Sequence, residues 1–163
     1  MQHDLPRSLK LATVWLLLAV LVFIGVQWAQ QRAQQTRFSL DGDAVELKRG
    51  PDGHYHWPGR VNDRAVDFLV DTGATRTAIP AALARELDLV ALGTVQSSTA
   101  GGVVTGHVVR ADIALRGGMQ VQRLRVVALP GLGANPLLGM DVLGKLRWQQ
   151  RGAVLRIEPG VAP

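Results

Sequence analysis

Turn signals recur so often after Gly53 that only short helices fit between them. Asn62 and Asp63 form a two-residue hairpin signal, because both side chains tolerate positive φ. Two glycine pairs, Gly101 with Gly102 and Gly117 with Gly118, punctuate the stretches GTVQSSTAGGVVTGHVVRADIAL and MQVQRLRVVAL. RGAV marks a further hairpin before AVLRI. The intervening segments read as strands. HYHWPGRV carries a Pro-Gly irregularity. AVDFLV alternates, with Val66, Phe68 and Val70 on one face and Asp67 on the other, where solvent is expected. Helical spacing occurs only in PAALARELDL, with Pro80 at an N1-like position, and in GMDVLGKL, long enough for two turns. Many short strands with one or two small helices predict an all-β domain, closed or Greek-key. No solenoid-period repeat is present.

The N-terminal part is different in kind. Residues 11–28 are almost uninterruptedly apolar, broken only by Thr13 and Gln27. At about 1.5 Å per residue such a helix nearly crosses a hydrocarbon core of about 30 Å. Arg7 and Lys10 precede it, and Trp15 and Trp28 suit the two interfaces. The run exceeds the apolar core of a secretory signal, and QWAQQ is a poor cleavage site. The reading is an uncleaved signal-anchor over 11–28 that follows a cytoplasmic segment 1–10. Residues 29–52 are then a polar tether, 53–159 the β domain and 160–163 a tail. The positive-inside rule places the domain outside the membrane.

The chain has 163 residues, enough for one domain plus this segment. Its net charge of +5 is scattered rather than clustered, which favours a solvated basic surface over a nucleic-acid groove. It has no cysteine, so disulfides, thiol catalysis and cysteine-ligated zinc are excluded. No phosphate-binding glycine loop and no Ser-His-Asp arrangement is recognisable. His54 and His56 share a face of the predicted strand, but His107 lies far along the chain and no third ligand is evident. Neither a metal nor a cofactor is expected.

The stretch FLVDTGAT carries the chemistry. Asp71 follows three apolar residues and so leaves a packed strand. Thr72, Gly73 and Ala74 have little bulk, and Gly73 permits a turn that a side chain would obstruct. A threonine hydroxyl can bond within such a turn or across an interface. The structural alternative is a turn aspartate that caps its own backbone in a plain β scaffold.

An apolar pair followed by Asp-Thr-Gly-Ala resembles the active-site motif of aspartic proteases. The likeness continues along the chain. STAGGVVTGHV is a Gly-tipped hairpin where that family has its flap, here Ala100, Gly101, Gly102 and Val103. PLLGMDVL resembles the apolar-apolar-Gly segment that packs beneath the active-site loop, here Leu137, Leu138 and Gly139. The resemblance is closest to the single-lobe, retropepsin-like branch, and within it to membrane-anchored bacterial enzymes.

It implies an acid-protease barrel that hydrolyses peptide bonds. Asp71 would be the catalytic carboxylate, with Thr72 and Gly73 fixing its geometry and Ala74 lining the cleft. It also implies a single-pass inner-membrane protein with a periplasmic domain, a peptide or protein substrate, and no nucleic acid. Two facing carboxylates are needed, and this chain has one Asp-Thr-Gly, so a homodimer is implied. Retroviral enzymes carry an acidic pair after the motif and an arginine after the late glycine; here Thr75, Arg76 and Met140 stand there. Asp141 lacks a small-residue loop and is expected to cap a helix start or to partner its dipole. A catalytically silent peptide-binding or dimerisation module of the same fold is the alternative function.

Overall fold

A computed structural model of the chain describes residues 7–33, 37–40, 44–99 and 102–161. They fall into two units, Met1–Gln35 and Thr36–Pro163. In the first, Arg7–Ala33 forms one 27-residue helix, α1. Among the described residues no helix is long and apolar enough to cross a membrane. The crossing expected at 11–28 is therefore not shown.

The second unit is built from hairpins. β3 (His56–Val61) and β4 (Arg64–Val70) pair antiparallel around Asn62, whose φ of 48° meets the sequence expectation. Their register is unbroken, so the expected Pro-Gly irregularity is absent. Pro58 stands just ahead of the first residue that β3 pairs with β7 (Gly102–Leu115), so its missing N–H interrupts no ladder there. Gly59 is required by that neighbour: a Cβ would lie 2.5 Å from the Ala114 carbonyl oxygen. β6 (Gly93–Thr99) and β7 form one long hairpin, and β7 and β8 (Met119–Leu129) form the next. Gly117 and Gly118 turn the second, at φ of 102° and 87°.

Closure comes from β7, which pairs with both β3 and β8. Two short strands complete the circuit. β5 (Ala78–Pro80) runs parallel to β8, and β9 (Leu137–Leu138) runs parallel to β4 and antiparallel to β5. The barrel encloses Trp57, Phe68, Ile79, Ile113, Val121 and Leu138, all essentially inaccessible. Each such side chain contributes about 1.5–3 kcal/mol relative to exposure. Two helices are short: α2 (Ala81–Glu86), for which Pro80 is the N-cap rather than the first turn, and the single turn α3 (Met140–Leu143).

The stretch expected to be a polar tether is partly strand. β1 (Arg37–Leu40) pairs with β8. β2 (Val45–Lys48) adds to a small sheet with β10 (Leu146–Arg151) and β11 (Val154–Val161). Leu47 is fully buried there, which explains why the segment folds despite its Gly- and Pro-rich flanks.

Candidate active site

β4 ends at Val70 beside β9, and the parallel pairing sets Asp71 against the late glycine segment. The Asp71 amide donates to the Leu138 carbonyl at 3.0 Å. The chain then turns at once. The Gly73 amide donates to Asp71 Oδ1 at 2.8 Å, and the Ala74 amide to the Asp71 carbonyl at 3.2 Å. A half-buried carboxylate is thus held by its own loop. Gly73 is suited to it, because a Cβ there would already lie 3.2 Å from Asp71 Oδ1.

The rest of the loop is braced from below. Met140 and Asp141 donate backbone N–H groups to the carbonyls of Ala74 (2.8 Å) and Thr75 (3.2 Å). Thr77, fully buried, donates its amide and hydroxyl to Asp141 Oδ1 at 2.9 and 2.8 Å. The Gly139 amide donates back to the Thr77 hydroxyl at 3.2 Å. Gly139 has room for nothing more, since a Cβ would meet the Arg76 carbonyl carbon at 2.4 Å. Asp141 lies in the first turn of α3, where the helix dipole favours an acid, but it is not a helix-start cap, for α3 has no side-chain cap. Its carboxylate reaches across to another loop, because Thr77 offers two buried donors.

Above Asp71 lies a cleft of about 730 Å³. Its walls include Gly73, Ala74, Thr75 and Arg76 from the loop and Val95, Gln96, Ser97 and Ser98 from β6. Ala78, Val127, Leu129, Leu132 and Leu137 form its apolar side, a cluster distinct from the barrel core. Asp71 is the one carboxylate among the described lining residues. Of the expected flap, Gly102 (φ 109°) and the exposed Val103 open β7, while Ala100 and Gly101 lie outside the described residues. Leu137 faces the cleft, Leu138 is buried, and Gly139 forms the brace. The hydroxyl of Thr72 makes no hydrogen bond within the turn among the described residues, and Thr72 lines a second cavity with Tyr55, Trp148 and Leu155; the expected alternative, a bond across an interface, involves a second chain.

A further cluster was not foreseen. Asp67, expected to be solvated, bonds His56 Nδ1 at 2.7 Å, and Asp52 bonds His56 Nε2 at 2.8 Å. Asp67 and His56 are diagonal neighbours on β4 and β3, so the pleat brings them together. The Asp52 carboxylate, with Asp67 behind it, holds His56 above the ordinary imidazole value. His56 in turn holds Asp52 below the usual carboxylate range. His54 lies outside β3 and is exposed, so the two histidines do not share a strand face.

The comparisons agree with this architecture. The fold is similar to a retropepsin-like aspartic protease from Rickettsia conorii, with a TM-score of 0.60 and 19% identity over 78% of this chain and 97% of that one. The search of curated proteins gives no match. Residues 57–145, from β3 through α3, match the model of the gag-polyprotein aspartyl protease family. With more than half of its length so matched, the chain belongs to the gag-polyprotein aspartyl protease family and is an aspartic-type endopeptidase.

Proposed function

We propose that Asp71 and its copy in a second chain form the catalytic dyad, and that the enzyme works as a homodimer. The observation that carries this reading is that Asp71 is the only carboxylate among the described residues lining the cleft. The chemistry needs a second. Two carboxylates about 3 Å apart cannot both ionise comfortably, so they share one proton. The ionised member takes a proton from a water as that water attacks the scissile carbonyl, and the protonated member donates to the carbonyl oxygen. The pair titrates as a unit. The amide of Gly73 orients Asp71 for this, and Ala74 leaves room for the peptide beside it.

The apolar run 11–28 and the basic residues before it support a membrane anchor, with the domain on the periplasmic side of a bacterial inner membrane. Tethering two chains in one bilayer raises their effective concentration.

Asp71→Asn in the full chain should abolish cleavage of an unfolded protein at mildly acidic pH. Its thermal unfolding should match the wild type, because the amide oxygen still accepts from Gly73. Undiminished cleavage would overturn the mechanism.

A further inference from the structure

We infer that Arg76 selects substrates, drawing the cleft towards peptides that carry a carboxylate side chain near an apolar one. The inference deepens the reading of Asp71 as the peptidase site and rests on it. Arg76 is the one cation among the described residues lining the cleft. It is exposed and has no carboxylate within ion-pairing distance among the described residues, Asp71 included.

Its backbone is fixed while its side chain is free. The Thr75 carbonyl on one side and the Thr77 amide on the other are both bound to Asp141. Gly139 packs against the Arg76 carbonyl. The guanidinium is therefore presented to the cleft from a rigid mount, which lowers the entropy lost on pairing. Its planar fork suits bidentate capture of a carboxylate. A peptide laid in the cleft displaces water from the guanidinium. An acidic side chain then restores its hydrogen bonds, an amide restores them in part, and a lysine adds repulsion. The same cleft is lined by the apolar Ala78, Val95, Val127, Leu129, Leu132 and Leu137. They accept an apolar side chain in the pocket-and-ladder manner of extended peptides.

The test uses binding, so that it does not depend on turnover. Full-length Asp71→Asn protein is titrated with short fluorescent peptides holding one leucine or phenylalanine and one neighbouring residue varied as Glu, Gln or Lys. The varied residue is scanned across the flanking positions. At one position the Glu peptide should bind roughly tenfold more tightly than its Gln counterpart, a gap that narrows with salt. Adding Arg76→Glu should reverse the order in favour of Lys. Equal affinities at every position, no binding of any peptide, or a Glu preference that survives Arg76→Glu would overturn the assignment. Failure of the dyad reading looks different: the Asp71→Asn protein would cut the peptides while still ranking them by charge.

Discussion

The carboxylate of Asp141 accepts twice from a residue 64 positions away, and that contact helps to fix where the Asp71 loop sits. Asp141→Ala would leave the amide and hydroxyl of Thr77 without their acceptor in a buried place. The expected cost is about 1–3 kcal/mol of unfolding free energy, read by chemical denaturation. Asp141→Asn keeps an acceptor oxygen and should recover most of it. Because Asp141 positions the loop without touching substrate, the alanine variant should lower kcat more than it raises KM. A variant with wild-type stability and wild-type kcat would remove the brace from this account. Asp71 itself was legible because its signature is local: apolar residues, then Asp, then three small residues. The partner of Asp141 was not, since nothing in the spacing of PLLGMDVL says which hydroxyl lies across from it.

Between β2 and β3 the chain makes a turn closed by the Gly50 amide on the His54 carbonyl at 2.7 Å. His56 fastens that turn to β4 through Asp52 and Asp67, and His54 is the further titrating group facing Asp52. The sign of the pH effect follows from the shifts. His56 is raised, so its contribution is complete below the unfolded imidazole value, about 6.5, and fades as pH rises through the higher folded value. Asp52 is lowered, so its contribution is complete above the ordinary carboxylate value and fades as pH falls through the lower one. The clamp is thus strongest in mild acid. Melting temperatures measured from about pH 6 to 9 should decline more steeply for the wild type than for His56→Gln; parallel profiles would sink the idea. Long elements with glycine turns, such as the β6–β7 and β7–β8 hairpins, could be read from the sequence. β1 and β2 could not, being four residues each, too short to show a period, and folded only by partners far along the chain.

On the proposed dyad, the barrel is complete in one chain but its cleft supplies only one of the two carboxylates, Asp71. Activity per chain should therefore fall on dilution of the detergent-solubilised protein, and recover when chains are confined together in vesicles. Specific activity that is constant across the dilution series would exclude a shared site. The same full-length protein should remain with the membrane fraction on alkaline extraction if residues 11–28 anchor it.

The small sheet has a consequence for synthesis. β2 leaves the ribosome well before β11, the strand it pairs with, Leu47 facing Leu155. Bridging so long a separation is slow compared with forming the hairpins between. The nascent chain thus carries its aspartate loop well before the sheet that buries Leu47 can form. The fold of the protease is therefore completed only once β11 has emerged, and a chain stopped before β11 lacks that sheet.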